Sequence, residues 1–171
     1  MGGWSGTGYV NTAGYVYDDG QAFIDIPANF KLETVIGVQI SGIGDGNGPI
    51  FNYVGTLTYW EVRAQQGSGL TTLSIREWAG DTIPITRASQ TGYVASVDKD
   101  SIGNSGFRIE VNGDTVSGRW WDASFTTARS SEVSYTVSSR PNKTEETISI
   151  RAGADSEFIY YIEAWPTSHT W

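Results

Sequence analysis

The residues able to carry chemistry fall into three groups: one histidine, the acids, and aromatic side chains beside arginine. His169 is the only histidine and lies near the end of the chain. A Ser–His–acid triad needs its base held rigidly by a third group, and a terminal position does not offer that. The 19 acids could supply a carboxylate pair for glycoside hydrolysis, but separation in space decides that chemistry. Asp25, Glu61, Glu110 and Glu163 alternate with apolar residues, which reads as the solvated face of strands. Asp98-Lys99-Asp100 with Asn104, and Asp45-Gly46-Asn47, offer hard oxygen ligands. An EF-hand loop counted from Asp98 would need glutamate where Ile109 stands. Asp, Asn and Gly also serve as turn residues, so no metal and no cofactor is expected, with calcium at Asp45 or at Asp98/Asp100 left open. Gly42 to Gly48 is glycine-rich, but no helix follows to make it a phosphate loop. Asn142-Lys143-Thr144 fits the glycosylation pattern without a secretory signal to support it.

The aromatic group is the most informative, and one stretch positions it. Phe107, Ile109 and Val111 alternate with Arg108 and Glu110, the period of a strand with one buried face. Asn112-Gly113 then signals a hairpin with those two residues as the loop, which places Val111 opposite Asp114 and Ile109 opposite Val116. On that pattern Trp120 joins the core, whereas Trp121 shares the polar face with Arg119, Ser117 and Thr115. Trp60 and Tyr135, beside Val62 and Val137, are core expectations. Trp78 and Tyr59 fall on the less apolar side of their strands. Exposed Trp or Tyr beside Arg stacks sugar rings or anchors interfaces. The expected ligand- or interface-binding residues are therefore Trp121, Arg119, Trp78 and Tyr59. The competing reading buries them under a loop or a neighbouring module.

Several segments recur in one order. Thr7-Gly8-Tyr9-Val10 returns as Thr91-Gly92-Tyr93-Val94, and Phe30-Lys31-Leu32-Glu33 as Phe107-Arg108-Ile109-Glu110. Ile40-Ser41-Gly42 returns as Val116-Ser117-Gly118, and Thr72-Leu73-Ser74-Ile75-Arg76 as Thr147-Ile148-Ser149-Ile150-Arg151. The order predicts a tandem pair of related β modules, residues 1–88 and 89–171.

Composition sets the outer limits. The chain has 171 residues, 21 glycines, 13% aromatic and 18% charged residues, and no cysteine. Many short alternating runs separated by turn residues, with no 3.6 period, predict an all-β chain: an antiparallel sandwich or jelly roll. Strands are expected over Tyr9–Tyr17, Ala22–Ile26, Leu32–Ser41, Thr56–Ala64, Thr71–Trp78, Tyr93–Val97, Val133–Val137, Thr147–Arg151 and Phe158–Trp165. Gly42 to Pro49 is expected as a loop, and Thr82–Arg87, with Pro84, as an edge strand. A net charge of −8 without a Lys/Arg cluster argues against nucleic acid. No apolar run reaches the length of a membrane span. Without cysteine there is no disulfide and no thiol chemistry, and zinc is not expected.

Phe30 to Gly48 and Leu73 to Ile85 resemble H-type lectin modules, six-stranded antiparallel sandwiches found in secreted lectins and in bacteriophage tail fibres. Phe158 to Trp165 resembles the closing strand of the phage modules. More widely, the acidic, cysteine-free, Gly/Ser/Thr-rich composition with aromatic strands resembles phage virion β-proteins. The resemblance implies a non-enzymatic virion-type protein presenting a binding surface: a tail-fibre, receptor-binding or capsid-decorating protein. It further implies a virion-surface or extracellular location, a homotrimer among other virion subunits, and contact with a cell-surface glycan. A free-standing, secreted carbohydrate-binding module or lectin is the alternative, and a glycosidase would require two carboxylates facing one cleft.

Overall fold

The computed structural model describes residues 9–16, 24–25, 28–38, 46–55, 58–66, 70–94, 103–138, 147–151 and 157–171. Those residues hold strands and no helix. The strands are β1 (Tyr9–Val16), β2 (Ile24–Asp25), β3 (Phe30–Val38), β4 (Gly46–Gly55), β5 (Thr58–Gln66), β6 (Leu70–Ala79), β7 (Ile85–Val94), β8 (Gly103–Asn112), β9 (Thr115–Asp122), β10 (Val133–Thr136), β11 (Thr147–Arg151) and β12 (Glu157–Trp165). They form two six-stranded sheets, ordered β1-β12-β3-β8-β9-β10 and β2-β11-β4-β5-β6-β7. The pairing is antiparallel throughout, for example β3 with β8 and β5 with β6. The all-β sandwich expected from the alternating runs is what the chain builds.

The core lies between the sheets because the strands alternate. Phe30, Leu32 and Ile36 of β3, Phe107, Ile109 and Val111 of β8, and Val116 and Trp120 of β9 face inward from the first sheet. Phe51, Trp60, Val62, Leu73 and Ile75 meet them from the second. Phe30 and Phe51 contact edge to face at 5.8 Å, and Trp60 stacks near Tyr135 at 6.5 Å. Each large side chain so enclosed contributes about 1.5–3 kcal/mol of burial. The sheets approach closely at Gly118, where an added Cβ would lie 2.8 Å from Val62 Cγ1.

The boundary between residues 88 and 89 falls inside β7, and each sheet draws strands from both sides of it. The repeated segments at Phe30 and Phe107 do lie side by side as β3 and β8. Their continuations diverge: β8 turns back into β9 in the same sheet, whereas the chain after β3 enters the opposite sheet as β4. The reason is packing. One shared core joins Phe30 and Trp60 to Phe107 and Ile162.

Two local expectations are also corrected. Gly46 to Pro49, expected as loop, opens β4. A Cβ on Gly46 would meet Ala64 O at 2.5 Å, and one on Gly48 would meet Val62 O at 1.8 Å, so these glycines admit the β5 backbone rather than make turns. The β8–β9 hairpin turns at Gly113-Asp114, pairing Asn112 with Thr115 and Ile109 with Gly118. Of the turn residues only Gly113 has positive φ, at 58°, and glycine in the first central position is the type II′ pattern. The Gly113 amide donates to Asn29 Oδ1 at 2.7 Å, and the Val137 amide donates to the Asp114 carbonyl at 3.1 Å. These distant contacts fix the turn. The register moves by two, so every side chain keeps its expected face.

Asp45, Asp98, Asp100 and the Asn142–Thr144 pattern lie outside the described residues.

Candidate functional site on the outer face of the first sheet

Side chains that do not face the core stand in ranks across β12, β3, β8 and β9. One rank runs Trp165, Lys31, Glu110, Ser117. The next runs Glu163, Glu33, Arg108, Arg119. In a third, Val35, Gly106 and Trp121 stand in line. Opposite charges meet across β3 and β8: Arg108 Nε lies 2.7 Å from Glu33 Oε2, and Lys31 Nζ lies 3.8 Å from Glu110 Oε2. Across β8 and β9 the sign does not alternate, since Arg108 stands directly opposite Arg119. Like charges in that relation repel. Glu33 compensates Arg108, whereas the Arg119 side chain makes no ion pair or hydrogen bond among the described residues.

Aromatic rings hold the two guanidinium groups. Arg108 lies 4.8 Å from the Trp121 ring, 5.0 Å from Phe125 and 5.2 Å from Trp171, and Arg119 lies 5.7 Å from Trp121. Contacts of this type contribute about 0.5–2 kcal/mol each. Phe125 reaches Arg108 because Gly106 leaves room; a Cβ there would lie 2.9 Å from the Phe125 ring. The loop carrying Phe125 is folded by Asp122, whose carboxylate accepts from the Thr126 amide at 2.9 Å, the Thr126 hydroxyl at 2.9 Å and the Thr127 amide at 3.2 Å. Burial pushes the Asp122 carboxyl up, but the hydrogen bonds from Thr127, Thr126 and Ser124 outweigh it and lower its pKa from 3.8 to about 2.

The last residues complete the site. His169 stacks on Trp165 at 4.3 Å with the rings nearly parallel, and Lys31 Nζ donates to the His169 carbonyl at 2.6 Å. Trp171 is thereby brought to the edge of Arg108 and remains 42% exposed. Between these groups lies a cleft of about 110 Å³, whose walls include Arg108, Glu110, Arg119, Trp121, Glu132 and Trp171. Arg119 Nε and Trp121 Nε1 are cut off from solvent and have no hydrogen-bond partner. A buried donor left unpaired costs about 1–3 kcal/mol. The arrangement therefore offers two indole rings, cationic donors and, at Glu110 and Glu132, acceptors.

Of the four expected binding residues, Trp121 and Arg119 meet in this cleft. Tyr59 and Trp78 do not. They lie in the other sheet, 3% and 6% exposed, stacked on each other at 5.4 Å and packed with Ile50. Trp78 Nε1 donates to Glu61 Oε2 at 3.1 Å, and Arg76 Nη1 lies 3.1 Å from Glu61 Oε1. Glu61 is itself buried, so its expected place on a solvated face is also corrected. Alternation assigns a side of the sheet but not what covers it. Sequence reasoning missed Arg108, Glu132 and Trp171. The hairpin pattern already placed Arg108 on the face of Trp121, whereas no local signal placed Trp171 there.

No protein-family model matches the chain, and no curated protein shows significant sequence similarity to it. Solved structures do share its fold. The carbohydrate-binding module CBM66 from Bacillus subtilis superposes with a TM-score of 0.57 at 10% identity, covering 95% of this chain and 91% of that one. The exoplasmic/lumenal domain of VIP36, solved in a Ca2+/Man3GlcNAc-bound form, gives 0.58 at 9% identity over 86% of this chain and 73% of that one. The GH43 protein BlXynB from Bacillus licheniformis gives 0.57 at 9% identity, but the chain spans only 33% of its length. The fold is thus an antiparallel β-sandwich similar to that of carbohydrate-binding modules.

Proposed function

We propose that this protein is a glycan-binding β-sandwich module that holds a sugar ring in the cleft bordered by Trp121 and Trp171 on the outer face of the first sheet. One observation carries the reading: two indole rings and the uncompensated Arg119 converge on one cleft. Indole faces stack on the apolar face of a sugar ring, and fixed polar groups at the rim orient its hydroxyls. The similarity of fold to a carbohydrate-binding module and to a sugar-bound domain supports the same reading. At about 110 Å³ the cleft is well below the roughly 300–1,000 Å³ of a drug-sized pocket. It suits one ring or the end of a chain rather than an enclosed oligosaccharide. A glycan array with the protein and its Trp121→Ala variant tests this. Binding by the first and its loss in the second is expected; no glycan retained by either contradicts it.

The proposed setting is a virion surface, as a homotrimer among other virion subunits. It is supported by the acidic, cysteine-free composition and the sequence resemblances. A monomer in sedimentation at high concentration, with no association with particles, would argue for the free-standing module instead.

A second reading has one observation in its favour. Glu110 and Glu132 both border the cleft, as a glycosidase pair would. A general acid is usually raised by burial in apolar surroundings. Glu132 is exposed, and the Glu110 side chain is 35% exposed and faces Lys31. The geometry therefore favours contact over turnover. Reducing-sugar release from the array ligands would reverse that preference.

A further inference from the structure

We infer that the sugar taken by this cleft is acidic, with its carboxylate held at the Arg119–Trp121 corner; this rests on the glycan-binding reading. Three observations point to an anion. Arg108 and Arg119 stand directly opposite each other on adjacent strands, an arrangement that repels unless negative charge sits between or beside the pair. Glu33 serves Arg108 at 2.7 Å, and no described residue serves Arg119. The Arg119 and Trp121 side chains each keep an N–H without a partner, and both residues border the same cleft. The planar guanidinium of Arg119 carries a fork of N–H donors, which matches the two oxygens of a planar carboxylate.

The rest of the cleft selects among anions. Glu110 and Glu132 border it as well. They disfavour a group carrying two negative charges, such as a phosphate monoester, and they accept hydrogen bonds from hydroxyl groups. A uronic or sialic acid supplies one carboxylate, several hydroxyls and a ring face for Trp171. A peptide carboxylate lacks the hydroxyls, and a neutral sugar lacks the charge. The chain carries a net charge of −8, so recognition of an anion must come from this local group and not from the overall field.

The test uses the full chain and an array with uronate-, sialate-, sulfate- and neutral-terminated glycans, together with carboxyl-reduced forms of the acidic ones. Acidic glycans are expected to bind at least tenfold more tightly than their carboxyl-reduced forms. Arg119→Gln is expected to erase that difference while leaving residual binding through Trp121 and Trp171. Circular dichroism and the melting temperature show that the variant is folded, and Arg119→Lys, which keeps charge but loses the fork, is expected to be intermediate. Equal affinity for acidic and reduced forms, or preference for sulfate, overturns the inference and leaves glycan binding intact. Failure of every glycan to bind overturns both.

Discussion

Lys31 Nζ donates a 2.6 Å hydrogen bond to the carbonyl of His169, joining β3 to the far end of the chain. The same ammonium lies 5.5 Å from the Trp171 ring and 3.8 Å from Glu110. One side chain thus fixes the segment that supplies a wall of the cleft. Lys31→Ala should destabilise the fold by only about 1–2 kcal/mol, as a charge-assisted bond at a partly exposed site would. It should also loosen residues 166–171 and weaken glycan binding. Amide hydrogen exchange over those residues, read beside glycan affinity, checks both effects.

The buried Glu61 should behave differently. Its carboxylate meets Arg76 and Trp78 in the second sheet while 1% exposed. Removing one member of a buried, hydrogen-bonded charge group costs about 3–5 kcal/mol. Glu61→Ala should therefore lower stability by that order in urea denaturation. Glycan affinity of the folded fraction should stay unchanged, because this cluster lies in the other sheet.

Close approach between the sheets gives a third expectation. A methyl group at Gly118 would lie 2.8 Å from Val62 Cγ1. Gly118→Ala forces a shift in a packed core and should cost about 1–3 kcal/mol. The companion change Val62→Ala makes room for it, so the double variant should be more stable than the sum of the single effects implies. A double-mutant cycle by chemical denaturation measures the difference.

The pH dependence of the β9–β10 loop follows from Asp122. Its carboxyl is lowered from 3.8 to about 2 in the folded chain, so the native state binds the proton less readily than the unfolded state. The resulting stabilisation is complete above about pH 4 and is lost as pH falls through 2. Asp122→Ala should lower the melting temperature at neutral pH, and the gap from the unaltered protein should close near pH 2. Melting curves across that range test it.

How much of this could be read from residues alone depends on the range of the forces involved. The period of Phe107 to Val111 was enough to assign inward and outward faces, because alternation is local and survives a register shift of two. The turn position was not legible: Asn29 and Val137, far away in sequence, hold it at Gly113-Asp114. Gly46 and Gly48 suggested a loop because a glycine that makes a turn and one that admits a neighbouring backbone have the same letter. Trp121 and Arg119 were visible as a pair because they share one strand face. Trp78 shows the opposite case, since its burial depends on tertiary cover. Trp171 enters the site through contacts with Lys31 and Arg108 that no sequence window contains.

The most direct measurement is an NMR titration of the protein with the strongest-binding glycan of the array, following the indole N–H resonances. Trp121 and Trp171 are expected to shift in step with saturation while Trp78 and Trp60 stay in place. Shifts centred on Trp78, or none at all, would contradict this.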